Sequence, residues 1–328
     1  MKATAIAHTN IALAKYWGKR DTRLNLPAVG SISVTLKDLY TRTAVRFKPE
    51  IESDKLFLNG IRANEKQVMR ISRFLDVIRQ RANSTKFAEV TSENNFPTGA
   101  GLASSASGFA ALALAATRAA DLTLPSDELS KIARQGSGSA ARSIFGGFVE
   151  MKIGLKNDGS DSFAIPLADE NYWPLTILIA VTSEEEKTTG STDGMKITAE
   201  TSPYYQDFIS ASEMDLEEVR TAIKHRDLKH LGEIAEHSCL KMHALMLSAR
   251  PALIYWNSAT VSVIHKIREI RNRGIQVYFT IDAGPQVKVI CEQKDSEKIK
   301  NEIKKIPGIK KIFKTLPGPA AKIVGEVF

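Results

Sequence analysis

Apolar and polar positions alternate in short segments over the first 60 residues, which is the pattern of half-buried strands. The predicted strands cover residues 4–13, 31–36, 42–47 and 55–58, and the last of them precedes an Asn59-Gly60 turn. After this turn the period lengthens to that of a helix between Glu65 and Arg81, where the apolar positions are Val68, Ile71, Phe74, Leu75 and Ile78. The N-terminal part is therefore predicted to be a sheet followed by a helix.

The rest of the chain alternates further helices and strands. We predict helices over 108–120, from Ser126 as N-cap to Gly136, and over 194–210, 215–224, 227–247 and 256–273. Residues 173–181 form a nearly continuous apolar run, typical of a buried strand, and 276–281 with 286–292 predict a hairpin. The polar segment 182–193 interrupts this pattern. It places the predicted domain boundary between 1–181 and 182–328.

Composition excludes several classes of protein. Two cysteines, Cys239 and Cys291, without ligand spacing argue against a disulfide framework or a zinc site and fit a reducing cytoplasm. No apolar run approaches the ~18 residues needed to cross a bilayer. The net charge of +8 admits anionic partners, but the late lysines lie on an amphipathic helix and lack interleaved aromatic residues. We expect neither a nucleic-acid nor a membrane partner.

The segment Asn95–Ser107, NFPTGAGLASSAS, predicts a phosphate-binding loop. Its small side chains would let backbone amides approach an oxyanion, and the following helix would add a favourable dipole. A turn that lets a helix pack closely would look the same. It is not a Walker loop, because G-x-x-x-x-G-K-[ST] is absent.

Three other segments carry candidate chemistry. Lys15, Lys19, Arg20 and Arg23 surround two aromatic residues, which indicates either an anion-facing segment or a solvated strand end. A second turn of small residues spans 136–141. Asp282 ends a predicted strand beside Gly284; taken alone, it is an ordinary turn aspartate that bonds its own backbone.

These segments together resemble a known family. P-x-x-x-G-L-x-S-S-A is similar to the nucleotide loop of the GHMP kinase superfamily. With NIALAKYWGKRD, GSGSAARSIFGGF, MHALMLSARPALIYWN and FTIDAGPQVKV it resembles the diphosphomevalonate decarboxylases. The resemblance implies an α+β fold with an N-terminal domain like ribosomal protein S5 domain 2, a ferredoxin-like C-terminal domain and an active site in the cleft between them. It also implies ATP, Mg²⁺ and a homodimer.

The same resemblance assigns roles to residues. The family's catalytic positions fall on Asp282, Lys15 and Arg142, which would receive the hydroxyl proton, stabilise the transferred phosphate and hold the substrate carboxylate. The substrate positions fall on Tyr16, Trp17, Gly18, Lys19, Lys66, Ser137, Gly138, Ser139, Ala140, Ala141, Ser191 and Thr192. The ATP positions fall on Asn95, Pro97, Gly99, Gly101, Leu102, Ala103, Ser104, Ser105 and Ser107, with Ser104 and Ser105 also expected near Mg²⁺.

Two departures leave the substrate preference open. Many relatives carry Thr-Asn-Ser-Ser where this chain has Ala28-Val29-Gly30-Ser31, and Lys66 stands where relatives use an arginine. The implied reaction is ATP-dependent decarboxylation of mevalonate 5-diphosphate to isopentenyl diphosphate. The alternatives are a mevalonate 3-kinase, a decarboxylase of the 5-monophosphate or 3,5-bisphosphate, and a binding protein that has kept a kinase fold.

Overall fold

A computed structural model describes residues 2–96, 103–185 and 187–325. Its strands are β1 (Lys2–Ala14), β2 (Lys19–Asp21), β3 (Leu26–Pro27), β4 (Ser31–Lys48), β5 (Lys55–Leu58), β6 (Ile61–Arg62), β7 (Phe87–Asn94), β8 (Phe148–Met151), β9 (Ala164–Ala168), β10 (Thr176–Val181), β11 (Val277–Ile281), β12 (Val287–Cys291), β13 (Lys311–Thr315) and β14 (Lys322–Val324). Its α-helices are α1 (Glu65–Arg81), α2 (Ser104–Ala119), α3 (Ser126–Gly136), α4 (Ser191–Thr201), α5 (Tyr205–His225), α6 (Leu228–Leu247), α7 (Ser258–Asn272) and α8 (Ser296–Lys304), and 3₁₀ turns span Gly138–Ile144 and Gln293–Asp295.

The first sheet is organised by the long strand β4. Strands β14, β1, β4, β7, β5 and β6 follow one another across it, and β8 with β9 extends from the first half of β4. Strand β4 joins the two strands predicted over 31–36 and 42–47. One face packs on α1, α2 and α3, so the predicted N-terminal sheet with a following helix is confirmed.

The second sheet has the order β11, β12, β10, β13, and all of its pairs are antiparallel. Strand β10 is buried on both faces: Ile177 and Ile179 pack with α5, α6 and the first sheet, while Leu178 and Ala180 pack with α7 and α8. This double burial explains its continuous apolar run. The predicted hairpin is β11 with β12.

Sheet membership bears on the predicted boundary after residue 181. Strand β10 belongs to the second sheet, and β14 returns from the C-terminal part to pair with β1. The sheets therefore favour a division before Thr176, with a final segment that goes back to the first sheet.

The observed helix boundaries differ from the predicted ones in three places. The helix predicted over 194–210 ends at Thr201, because Ser202 precedes Pro203 and takes an extended conformation, and α5 then runs unbroken to His225. The polar segment 182–193 already contains the first turn of α4. Ser126 is the first residue of α3 rather than its N-cap, and Pro125 occupies the cap without a side-chain hydrogen bond.

The prediction of α1 is confirmed to the residue. Asn64 closes a capping box with Gln67, its side chain accepting from the Gln67 amide at 3.0 Å. This cap fixes the start of the helix that carries Lys66 and Arg70 toward the main cavity.

Candidate active site

A cavity of about 590 Å³ opens where the end of β1, the start of α2, the 3₁₀ turn and the segment after β11 meet. The three predicted catalytic residues, Lys15, Arg142 and Asp282, all line it although they are far apart in sequence. Other predicted residues that line it are Tyr16, Trp17, Lys19, Lys66, Ala103, Ser104, Ser105, Ser137, Gly138, Ser139, Ser191 and Thr192. The fold therefore brings most of the described candidate residues to one place, while their roles stay predictions.

Asp282 and Lys15 form a direct ion pair across the two sheets. Lys15 follows β1, Asp282 follows β11, and Nζ lies 2.7 Å from Oδ1. Lys15 is buried and also donates to the Ala12 carbonyl at 2.9 Å, whereas the Asp282 side chain keeps 26% of its surface exposed. The Asp282 side chain is thus partly accessible from the cavity, and the Ala12 carbonyl holds its lysine partner in place.

A second buried lysine, Lys288 on β12, lies 3.2 Å from the other oxygen of Asp282, Oδ2. Burial alone would raise the pKa of Asp282, but the charges of Lys15 and Lys288 outweigh it and hold that pKa well below its usual value. Asp282 is therefore ionised at neutral pH and is a weak proton acceptor.

Arg142 is buried, and uncharged groups hold its guanidinium. Nε donates to Ser33 Oγ at 2.8 Å, Nη1 to Ser31 Oγ at 2.5 Å and Nη2 to Asn10 Oδ1 at 3.2 Å. Desolvation lowers its pKa to about 10, which still leaves it cationic at neutral pH. A cation fixed by neutral acceptors beside a cavity is arranged to receive a carboxylate.

Ser31 also bears on the departure from the family's Thr-Asn-Ser-Ser segment. Its hydroxyl is retained and orients Arg142, while Val29 packs in an apolar cluster with Trp17 and Met195. Ser31 and Val29 thus support the site indirectly, through Arg142 and Trp17.

The turn of small residues places hydroxyls at the cavity. Ser137 Oγ lies 3.2 Å from Ser139 Oγ and 3.4 Å from Ser105 Oγ. A side chain at Gly138 would collide with the ring of Tyr16, whose buried hydroxyl makes no hydrogen bond within the described structure. That hydroxyl is a candidate ligand contact.

Three predicted substrate residues do not line the cavity. Gly18, at φ +98°, forms a turn against Tyr205. Ala140 and Ala141 pack into two hydrophobic clusters, because a 3₁₀ turn has three residues per turn and places Ser139 and Arg142 on the face toward the cavity.

The phosphate-loop prediction is only partly described. Pro97, Gly99, Gly101 and Leu102 lie outside the described residues. Ala103 has a left-handed conformation at φ 58° and caps α2, so Ser104 and Ser105 meet the cavity at the helix N-terminus.

Asn95 and Ser107 make hydrogen bonds within the scaffold. Asn95 bridges the Tyr40 amide and the Asp38 carbonyl, and Ser107 bonds Thr41 at 2.6 Å. Neither lines the cavity in the described structure.

The predicted metal has a plausible donor set. Within the described ranges, no cluster of three or more histidine, cysteine or carboxylate side chains could hold an ion. Serine hydroxyls at the N-terminus of α2 fit a Mg²⁺ that takes most of its ligands from phosphates and water.

Sequence reasoning missed Arg70, Lys187 and Lys288. Arg70 lies one helical turn after Lys66 and also lines the cavity, so the i,i+4 spacing could have found it. Lys187 bonds Ser191 Oγ at 2.7 Å and the Ala283 carbonyl at 3.1 Å, and burial lowers its pKa to about 8. For Lys288 the signal was a lysine inside the apolar run of β12.

A second cavity of about 190 Å³ adjoins the first and shares Arg70, Ser104 and Ser105 with it. Its other walls are apolar side chains of α1, α2, β5 and β7 with a few hydroxyl and amide groups. The first cavity has six cationic side chains and two carboxylates in its lining, among the residues described. The first cavity therefore suits a ligand with several negative charges, and the second suits an apolar group next to it.

Two family models together match most of the chain. The diphosphomevalonate decarboxylase-like N-terminal domain matches residues 7–164, and the mevalonate 5-diphosphate decarboxylase C-terminal domain matches residues 177–321. A diphosphomevalonate decarboxylase of Candida albicans is 35% identical over 99% of this chain and 98% of its own length.

Two solved structures are similar over nearly the whole chain. MDDEF in complex with MVAPP, AMPPCP and magnesium is 42% identical with a TM-score of 0.93, and each chain is covered to 99%. The mevalonate diphosphate decarboxylase from Enterococcus faecalis is also 42% identical, with a TM-score of 0.91 and 99% of each chain covered. The predicted fold is confirmed, and the chain belongs to the diphosphomevalonate decarboxylase family.

Proposed function

We propose that this chain catalyses the ATP-dependent decarboxylation of mevalonate 5-diphosphate to isopentenyl diphosphate, with ADP, phosphate and carbon dioxide as the other products. The observation that carries the proposal is the meeting of Lys15, Asp282 and Arg142 at one cavity beside the N-terminus of α2. The reaction requires a carboxylate that orients the acceptor hydroxyl, a phosphate cradle and a clamp for the substrate carboxylate.

The substrate carboxylate is assigned to Arg142. Its guanidinium is already oriented by Ser31, Ser33 and Asn10, so a bound carboxylate meets a preorganised cation. The bond between that carboxylate and C2 is then held in one direction. This lets its electron pair form the C2=C3 double bond as the phosphate leaves C3.

The tertiary hydroxyl is assigned to Asp282. Because two lysines stabilise the carboxylate, it orients the hydroxyl by a hydrogen bond and is too weak a base to remove the proton early. A loose transition state for phosphoryl transfer needs no early removal. Lys15, beside it, stabilises the charge of the group in transfer.

We assign other cationic side chains of the cavity to the substrate diphosphate or to the nucleotide. Tyr16, Lys19, Arg70 and the hydroxyls of Ser137 and Ser139 surround the space for the substrate diphosphate. The nucleotide phosphates are assigned to Ser104, Ser105 and Lys187, and the adenosine to the second cavity. Mg²⁺ at Ser104 and Ser105 would neutralise phosphate charge when bound.

A homodimer and a cytoplasmic location complete the proposal, supported by the resemblance and by cysteine usage. Within the described part of the chain, no helix has both the length and the apolar character of a membrane span.

Product analysis tests the reaction. The purified protein is incubated with ATP, Mg²⁺ and either mevalonate, its 5-phosphate or its 5-diphosphate, and ADP and CO₂ are both measured. The proposal predicts equal amounts of ADP and CO₂ with the 5-diphosphate. ADP without CO₂ would indicate a kinase, and CO₂ from the 5-monophosphate alone would change the substrate.

Replacing Arg142 by lysine tests the carboxylate clamp. A lysine cannot reproduce three directed hydrogen bonds, so the carboxylate is misplaced and kcat falls by about 100-fold. Arg118→Lys, on the far part of α2 and bonded to Thr123, is the matched control and keeps wild-type kinetics. Unchanged kinetics in Arg142→Lys would remove this residue from the site.

The pKa of Lys187 predicts a basic limb in the pH profile. Below about pH 8 the ammonium is charged and attracts the nucleotide phosphates; above it the charge is lost. We expect kcat/KM for ATP to fall by about tenfold per pH unit above that value. Lys187→Arg should move the limb upward because arginine stays charged, whereas Lys196→Arg on α4 should not. An unmoved limb in Lys187→Arg would contradict the assignment.

A further inference from the structure

Asp282 is held by two lysines, and only one of them reaches the cavity. Lys15 lines it, while Lys288 lies behind Asp282, outside the described cavity lining, with 1% of its side chain exposed. A charge as deeply buried as that of Lys288 is costly to bury and needs an anionic partner. The partner here is the Oδ2 atom of Asp282 at 3.2 Å.

The strand pattern explains how Lys288 reaches this position. On β12 the neighbours Val287 and Val289 face the cluster with α7 and α8, so Lys288 and Ile290 face the opposite side. On the adjacent β11, Thr280 lies opposite Lys288 in register, and Asp282 continues the same face two residues later. Lysine and aspartate thus project side by side toward the end of β1.

Resting on the proposed function, we propose that Lys288 is a positioning residue that keeps Asp282 ionised and oriented while Lys15 shares its charge with the phosphoryl group in transfer. Lys15 donates to the Ala12 carbonyl and to Asp282, which leaves its third N–H for the transferred group, so its single positive charge is then shared between two anions. Because Lys288 forms an ion pair with the other carboxylate oxygen, Asp282 keeps a counter-charge and its orientation throughout the reaction.

The neighbouring groups leave a clear pH window for a test. The titratable and charged groups that face Asp282 are Lys15, Arg142, Lys187, Cys239, His243 and Lys288. Burial lowers the pKa of His243 to about 3 and raises that of Cys239 to about 11, while Lys187 titrates near 8. Asp282 stays ionised through this range in the wild type, so an acid limb between pH 4 and about 7 that appears in a variant and not in the wild type comes from Asp282, since the substrate phosphates titrate alike in both.

The test replaces Lys288 by methionine, which has a similar length and no charge. Without this cation the pKa of Asp282 rises, and activity is lost as pH falls through the new value. We expect the acid limb of kcat to move up by about one pH unit or more, and kcat at pH 7, where Asp282 is still ionised, to fall by about tenfold because the carboxylate loses the ion pair that orients it. KM for the 5-diphosphate should change less than twofold. Lys314→Met on β13, which lies at the other edge of the same sheet and where Lys314 is paired with Glu297, is the control and should leave both unchanged.

A double-mutant cycle separates positioning from structural support. In an Asp282→Asn background Lys288 has no carboxylate to hold, so adding Lys288→Met should lower kcat by less than about twofold further. If Lys288→Met does not fold, Lys288→Gln, which is smaller and keeps a donor, should show the same upward move of the acid limb. An unmoved limb in the folded variant, or additive effects in the cycle, would overturn the proposal.

The test of Lys288 can fail or succeed independently of the test of the proposed function. All Lys288 variants are scored against wild type by ADP formation, which is measured whether or not CO₂ is released. A wild-type protein that forms ADP without CO₂ would refute the decarboxylase and still allow Lys288 to be tested.

Discussion

The ion pair between Lys15 and Asp282 is the interaction on which the site depends. It joins the end of a strand in the first sheet to the end of a strand in the second, across 267 residues of sequence. A buried pair of charges contributes little net stability, because desolvation offsets much of the attraction. Its value here lies in placement: the two sheets must pack in one arrangement for the pair to form.

The rest of the site follows from that arrangement. Once β1 and β11 end side by side, the 3₁₀ turn brings Arg142 to the same cavity, and its neutral acceptors leave the positive charge available to a ligand. The N-terminus of α2 completes the wall with Ser104 and Ser105. Cations outnumber carboxylates in this described lining, so bound phosphates would reduce the repulsion among them.

Much of this could be predicted from local sequence, and the reasons for the failures are physical. The apolar period predicts helix α1 with its observed bounds, because the capping box at Asn64 begins the helix where the period begins. The break at Ser202 was signalled by Pro203 but hidden by apolar periodicity that continued across it. Ala140 and Ala141 matched a family motif, yet the tight 3₁₀ turn directs them into hydrophobic clusters.

Residues that act through tertiary contacts were the hardest to find. Asn95 lies in the phosphate-loop segment, but its side chain bridges two backbone groups of the first sheet. Lys288 has no motif of its own, and only the hairpin register places it behind Asp282. The meeting of Lys15, Arg142 and Asp282 was predicted from resemblance alone, because no local pattern encodes the packing of one sheet on another.

The most direct test of this account is single-turnover kinetics of Asp282→Asn with ATP and mevalonate 5-diphosphate. If Asp282 orients the hydroxyl for phosphoryl transfer, the rate of ADP formation falls by about 100-fold or more and CO₂ release falls with it, while the amount of nucleotide bound is unchanged. ADP and CO₂ formation near the wild-type rate would contradict the central role given to this carboxylate.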